Sequence, residues 1–202
     1  MKKLFLLLAS AALFLTGCGS PRMQVDPEWK EVPQKVSVLV TTPYVKNLDD
    51  VIDDFQSEEA FNEWFVSYFA SNFSRSSASK VEVFKVVDET FEMKQMPINE
   101  QTFPVPLPIK EKLNGISGIV VSVHPVKFWR EFRQCPSGGC TNNKSLESVV
   151  SYSIVSVDDQ KILAYGYAVE NSTFTFAMTK SNWESVVIEL VDSILDKTPI
   201  EK

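Results

Sequence analysis

The chain has 202 residues, of which 44% are hydrophobic and 23% are charged, and this composition suits one globular domain with a sizeable core. Its formal net charge is −6 at pH 7. An acidic chain argues against nucleic acid as a partner and against broad electrostatic adhesion to anionic lipid, because both need a basic face.

The amino-terminal segment has the features of an export signal. Two lysines follow Met1, and residues 4–15 form a largely apolar run of twelve residues. A membrane-spanning helix needs about 20 apolar residues, so this run is too short to cross a bilayer. A positive start followed by a short apolar segment is typical of a cleaved leader, and we predict a signal peptide over residues 1–17.

The residues that end this segment, Leu15-Thr16-Gly17-Cys18, resemble the lipobox of bacterial lipoproteins. The resemblance implies thioether lipidation of Cys18, cleavage before it and acylation of its new amino group. Several acyl chains hold a protein on a bilayer almost permanently. Gly19 in place of Asp fits outer-membrane sorting in similar lipoproteins, so we predict an outer-membrane anchor facing the periplasm. The alternative is an ordinary secretory leader that happens to precede a cysteine.

The first part of the mature chain changes from a polar segment to regular structure. Residues 18–34 contain three prolines and lack a hydrophobic period, which predicts a flexible tether ahead of one α+β domain over residues 35–202. Alternating valines predict a strand at residues 36–40. Helices are predicted at residues 47–56 and from Ser57, which is a suitable cap. The second helix carries one aromatic stripe, made of Phe61, Trp64, Phe65, Tyr68, Phe69 and Phe73.

The second half of the chain reads as strands followed by a helix. A strand is predicted at residues 80–87, and the prolines within residues 88–115 predict a surface excursion. Residues 116–132 predict a long strand, in which Pro125 indicates an edge or a bulge. Return strands are predicted at residues 146–157 and 162–169. The last helix has Ser181 and Glu184 at the spacing of a capping box.

Both long helices are apolar on one side only. We therefore predict an α+β fold, a two-layer sandwich in which the two helices pack on one mixed or antiparallel sheet of about five strands.

Cys135 and Cys140 flank the turn-forming sequence Pro-Ser-Gly-Gly. Disulfides persist in exported proteins, so we predict a Cys135–Cys140 bond. Metal binding and redox chemistry are the alternatives. Zinc needs further ligands and the chain has one histidine, and a thioredoxin-type motif has two residues between its cysteines, not four.

The most unusual stretch is residues 126–133, where basic and aromatic side chains alternate in an acidic protein. Rigid aromatics beside arginine are favoured at binding hot spots. We predict a partner-binding patch formed by Lys127, Trp129, Arg130 and Arg133. The alternative is that Phe128 and Phe132 face the core while the basic side chains are merely solvated, and alternation puts Phe128, Arg130 and Phe132 on one face.

Other candidate sites have weak support. The acidic run at residues 49–63 lacks the alternating ligands and central glycine of a calcium loop. His124 lacks the sequence context of a catalytic triad. We therefore predict no catalytic residue, no metal site and no cofactor.

The order of elements resembles several bacterial envelope lipoproteins. The strand pair joined by Asp158-Asp159-Gln160-Lys161-Ile162 is similar to one in the curli-secretion and penicillin-binding-protein-activator lipoproteins. The TolB amino-terminal domain has the same helix-on-sheet layout, and the lipopolysaccharide-assembly lipoprotein has a comparable topology. The resemblance covers residues 35–197 in layout only, and it implies a role in building, regulating or docking onto envelope machinery.

Three functions follow from these observations as hypotheses. The first is a membrane-anchored, non-enzymatic module that binds the bilayer through acylated Cys18 and binds another envelope protein through its domain. The second is a lipid or lipopolysaccharide carrier, which needs a groove between sheet and helices that is wide enough for an acyl chain. The third is a periplasmic hydrolase, which needs a cleft with convergent polar residues.

Overall fold

The structure, a computed structural model, describes residues 22–133 and 143–202. Cys18 and the pair Cys135 and Cys140 lie outside the described residues, so the lipid anchor and the disulfide stay predictions.

The described chain contains nine strands, three α-helices and two short 3-10 helices. The strands are β1 (Met23–Val25), β2 (Lys35–Val40), β3 (Tyr44–Val45), β4 (Lys80–Lys85), β5 (Phe91–Ile98), β6 (Gln101–Pro108), β7 (Ile119–Arg133), β8 (Asn143–Ser156) and β9 (Lys161–Phe174). The α-helices are α1 (Asp49–Phe55), α2 (Glu58–Ser76) and α3 (Lys180–Leu195), and the 3-10 helices are Asp88–Thr90 and Lys110–Lys112.

Seven of the strands form one mixed sheet in the order β1-β9-β8-β7-β2-β4, and β3 also pairs with β7. Strand β2 is parallel to β4 and β7, whereas β7, β8, β9 and β1 are joined by antiparallel pairs. The α+β class is confirmed, but the predicted number of strands was too low. All five predicted strands are present, and the additional ones are β1, β3 and the separate hairpin of β5 and β6.

The helices cover one face of this sheet. The four-residue spacing of Phe61, Phe65, Phe69 and Phe73 puts all four rings on one side of α2, where each is fully or almost fully buried. Phe61 lies 5.0 Å from Trp183 of α3 and 6.2 Å from Phe128 of β7, measured between ring centroids. Burying each such ring contributes about 1.5–3 kcal/mol, so this aromatic layer is a main source of stability.

The opposite face of the sheet carries a second, smaller cluster. It contains Leu39, Val120, Phe91, Leu113 and Val157. The residues adjacent to Leu39 and Val120 along their strands point to the helices, so these two side chains point the other way. The hairpin of β5 and β6 lies over this face, where Tyr165 Oη donates a hydrogen bond to the carbonyl of Pro97 at 2.9 Å. The predicted two-layer sandwich did not include this covering hairpin.

The segment before β2 also differs from its prediction as a flexible tether. Residues Met23–Val25 form β1, which pairs with β9, and Trp29 is only 9% exposed. Lys161 Nζ lies 2.6 Å from a carboxylate oxygen of Asp26. Backbone pairing of β1 and burial of Trp29 hold this segment on the domain, whereas residues 18–34 were predicted as a flexible tether.

Candidate functional site

The predicted binding patch is divided between the two faces of the sheet. Arg130 lies opposite the buried Leu146 of β8, so its side chain is on the helix face. Lys127 and Trp129 alternate with it and lie on the other face. Residue Arg133 ends β7, and its side chain lies outside the described set. Lys127, Trp129 and Arg130 therefore do not form one surface.

Arg130 is held in place by a buried carboxylate and an aromatic ring. Its Nη1 lies 3.0 Å from Oδ1 of Asp50, whose side chain is 5% exposed, and its guanidinium lies 5.8 Å from the centre of the Phe174 ring. Burial raises the pKa of the Asp50 carboxyl, and the charge of Arg130 opposes this increase. The arginine thus joins α1 to the end of β9.

A row of side chains across three strands adjoins Arg130. Phe132 of β7 pairs with Lys144 of β8, and Lys144 pairs with Phe174 of β9. Lys144 therefore lies between two aromatic residues on the helix face of the sheet. Phe132 is 48% exposed, and Phe176, just beyond β9, is 91% exposed. Exposed aromatic side chains grouped in this way indicate a contact surface.

These side chains line an open cleft of about 370 Å³ at the far end of the long strands. We call it the distal cleft, and its lining includes Asp53, Arg130, Phe132, Lys144, Phe174 and Phe176. Four of its nine lining residues are charged, Asp53 and Glu131 against Arg130 and Lys144, and three are phenylalanines. The cleft therefore offers aromatic and charged groups to a partly apolar partner.

Trp129 has a different environment on the opposite face. Its Nε1 donates to Glu131 Oε2 at 3.3 Å, and its cross-strand neighbour is the buried Glu147. Glu147 accepts a hydrogen bond from Ser145 Oγ at 2.6 Å. Trp129 therefore packs beside a polar network and is not part of the distal cleft.

Two other ionisable groups with altered pKa values lie on separate elements. Burial lowers the pKa of His124, whose Nδ1 lies 2.9 Å from Thr41 Oγ1 and 3.7 Å from a carboxylate oxygen of Asp88. Burial raises the pKa of Glu170, which accepts a hydrogen bond from Ser193 Oγ at 2.5 Å. Neither group lines the distal cleft.

The described residues also bear on the metal and membrane predictions. Within residues 22–133 and 143–202, no group of three or more His, Cys, Asp or Glu side chains is arranged to hold a metal ion. In the same ranges, no helix is long and apolar enough to cross a membrane.

Sequence reasoning missed Lys144, Phe174 and Phe176. Strand alternation over residues 172–176 would by itself have put Phe174 and Phe176 on one face. Their meeting with Arg130 and Phe132 depends on the register of three strands, which a single sequence does not specify.

No protein-family model matches this chain, and no curated protein matches it. The layout resemblance to particular lipoprotein families therefore stays a prediction.

Among solved structures, the chain is similar to the PelC dodecamer from Paraburkholderia phytofirmans, with 13% sequence identity and a TM-score of 0.43. This match covers 91% of this chain and 100% of that one. It is also similar to a minor lipoprotein from Acinetobacter baumannii, with 11% identity, 80% and 88% coverage and a TM-score of 0.38. A lipoprotein from Neisseria meningitidis has 12% identity, 76% and 93% coverage and a TM-score of 0.35.

Proposed function

We propose that this protein is a lipid-anchored, non-enzymatic envelope protein that binds another component at the membrane surface through the distal cleft. The observation that carries the proposal is the grouping of Arg130 and Lys144 with three partly or fully exposed phenylalanines around one cleft. Aromatic and arginine side chains dominate the energy of protein interfaces. In this proposal the anchor is the acylated Cys18, in the outer membrane and facing the periplasm.

The lipid anchor would serve the binding function by confinement. A domain restricted to one membrane surface meets partners on that surface at a high effective concentration, so a cleft of modest affinity is sufficient. Strand β1 begins at Met23, only five residues after Cys18, which supports close confinement.

The two other hypotheses have less support. A carrier needs an acyl-sized channel between the sheet and the helices, and that space is occupied by the closely packed rings of Phe61, Phe65, Phe128 and Trp183. A hydrolase needs several polar groups that converge on one cleft. Asp50, His124 and Glu170, three of the groups whose pKa is shifted by burial, lie instead on α1, β7 and β9.

The proposal is tested by photocrosslinking in the intact envelope of a host bacterium. A photoreactive phenylalanine analogue is placed at position 132 or 176, and Val32 is the control position. Val32 is 52% exposed and lies three residues before β2, at the opposite end of the sheet. We expect discrete adducts, with lipid or protein, from positions 132 and 176 only. Equal adduct patterns at all three positions would contradict a binding role for the distal cleft.

The anchor is tested on the same preparation by intact mass. We expect a chain that begins at Cys18 and carries acyl groups. A chain that begins elsewhere, or that has an unmodified Cys18, removes the anchor from the proposal and leaves the crosslinking result to stand alone.

A further inference from the structure

The direction of the chain before β1 relates the anchor to the distal cleft. Strand β1 is antiparallel to β9, with Met23 beside Gly166 and Val25 beside Ala164. The carbonyl of Arg22 accepts a hydrogen bond from the Tyr167 amide at 2.9 Å, and Arg22 Nη1 donates to the Val169 carbonyl at 2.8 Å. Traced from β1 back towards Cys18, the chain therefore heads along β9 in the direction of Phe174, which is the end that carries the distal cleft.

The length of the remaining chain limits how far the anchor can lie from the domain. Cys18 is four residues before Arg22, and four residues span at most about 14 Å. Along β9, Tyr167 and Phe174 are seven residues apart, or about 23 Å. A chain that keeps its direction would therefore bring Cys18 to within about 10 Å of the level of Phe174 along the strand.

The exposed apolar surface at this end suits the lipid–water interface. Phe176 is 91% exposed and Phe132 is 48% exposed, and Lys144 lies between Phe132 and Phe174 in the strand register. Aromatic side chains partition to the interface of a bilayer, and a neighbouring lysine can reach the lipid phosphates. The Val32 side chain is also exposed, but it lies at the opposite end of the sheet. A bilayer attached at Cys18 would therefore not contact it.

We propose that Phe132, Phe174 and Phe176 form a second membrane contact, which inserts into the interface of the bilayer to which Cys18 is attached. This inference rests on the proposed lipid anchor and names the bilayer as the partner of the distal cleft. The two contacts together hold the ends of β7, β8 and β9 towards the membrane.

The test uses the full-length lipoprotein purified from membranes and reconstituted into vesicles of phosphatidylethanolamine and phosphatidylglycerol that contain brominated phospholipid. Phe176→Trp is compared with the matched control Val32→Trp, and the wild-type fluorescence of the native tryptophans is subtracted from both. Phe176 is almost fully exposed, so the substitution leaves the core intact, and far-ultraviolet circular dichroism checks the fold.

We expect the added fluorescence at position 176 to be blue-shifted and lost in brominated vesicles, while that at position 32 remains unquenched. Unquenched fluorescence at both positions overturns the membrane contact. If Cys18 is acylated in that sample, the lipid anchor still stands, and a protein adduct in the crosslinking experiment would then identify a protein as the partner. An unmodified Cys18 overturns both the anchor and this inference.

Discussion

Asp50 is a carboxylate whose burial is only partly offset by its cationic neighbour. Its side chain is 5% exposed, and Arg130 Nη1 lies 3.0 Å away, while the arginine itself is 43% exposed. Burial is the largest influence on the carboxyl and raises its pKa above the ordinary value of 3.8. The cost of removing this charge from water therefore exceeds the attraction of a partly hydrated arginine.

This balance predicts the pH dependence of an Asp50→Asn variant. A raised pKa in the folded state means that the contribution of Asp50 to stability is fully present below pH 3.8 and is lost as the pH rises through the folded-state pKa. We expect the free energy of unfolding of the wild type, measured relative to the variant in urea titrations, to decrease as the pH rises from 3.8 through the folded-state pKa. The variant should be at least as stable as the wild type at pH 7.

The exposed neighbour Asp49 supplies the control Asp49→Asn. A larger loss of stability at pH 7 from Asp50→Asn than from this control would show that the ion pair between Asp50 and Arg130 outweighs the cost of burying the carboxylate.

His124 gives a second prediction because it is the single histidine of the chain. Burial lowers its pKa below 6.5, and Asp88 partly offsets this by favouring the charged ring. The neutral form is therefore favoured in the folded state, and its contribution to stability is present above pH 6.5 and lost as the pH falls through the folded-state pKa.

The imidazole resonances in an NMR titration should give a pKa below 6.5, and Asp88→Asn should lower it further because the attraction of Asp88 is removed. A pKa at or above 6.5, or an increase in the Asp88→Asn variant, would contradict this account of the site.

At the scale of the elements, helix α3 begins differently from its sequence prediction. Thr179 is the capping residue, and its amide donates to Oδ1 of Asn182 at 3.0 Å. Asn182 Nδ2 also donates to Ser172 Oγ at 3.0 Å, which ties the start of α3 to β9. The predicted capping pair, Ser181 and Glu184, was placed two residues too late because Thr179 and Asn182 have the same spacing and equally suitable side chains.

The position of the cap is tested by comparing Asn182→Ala with Glu184→Ala. We expect Asn182→Ala to lower the free energy of unfolding by about 1 kcal/mol, because it leaves the Thr179 amide without its side-chain acceptor. Glu184→Ala should change the free energy by less than about 0.5 kcal/mol. The reverse order of the two effects in urea denaturation would support the cap at Ser181.

The elements that the sequence predicted are those with a strong period. The aromatic repeat of α2 and the valine alternation of β2 are direct consequences of one buried face. Strands β1 and β3 have three and two residues, so no period is detectable in them. Strand β6 was missed because Pro104, Pro106 and Pro108 argue against a strand. The three prolines are two residues apart, so all of them occupy the same kind of position in the pairing with β5. Alternate residues of an antiparallel strand do not hydrogen-bond to the same neighbour, so the missing amide groups leave this pairing intact.

The candidate site was predicted only in part, and for a related reason. Alternation correctly put Phe128 and Arg130 on the same face of β7, because a strand has a fixed period of two. Sequence alone did not reveal that Asp50 would meet Arg130, or that Phe174 would lie one strand beyond Lys144. Those contacts depend on tertiary packing and strand register between segments that are far apart in the chain.

At the scale of the whole molecule, Gly166 allows the close pairing of β1 with β9 on which the proposed membrane contact depends. A Cβ atom at this position would lie 2.6 Å from the Arg22 carbonyl oxygen, 2.8 Å from Tyr152 Oη and 2.9 Å from Met23 Cβ. Glycine thus allows β1 to pair directly on β9. With β1 in place, four residues separate the proposed anchor Cys18 from Arg22. Without β1, the next attachment is the ion pair between Asp26 and Lys161, eight residues after Cys18, and eight residues span at most about 28 Å.

A Gly166→Val variant should therefore detach β1 and lengthen the free segment. Two of the three close contacts are with β1 or the residue before it, and the Arg22 contact is with backbone, which cannot move without breaking the pairing. We expect faster hydrogen exchange in residues 22–25 and a loss of about 1–3 kcal/mol in the free energy of unfolding. Asn171→Val is the control, because it puts the same β-branched residue at an exposed position of β9.

The same variant also tests whether short attachment is needed for the contact between Phe176 and the bilayer. In the Phe176→Trp background, Gly166→Val should reduce quenching by brominated lipid, because a longer free segment lets the domain move away from the bilayer, whereas Asn171→Val should leave quenching unchanged. If hydrogen exchange shows that β1 is detached but quenching is undiminished, the three phenylalanines hold the domain on the membrane without help from the short segment. Unchanged exchange in residues 22–25 would instead mean that β9 accommodates a side chain at position 166, contrary to the close contacts made by Gly166 with Arg22 and Met23.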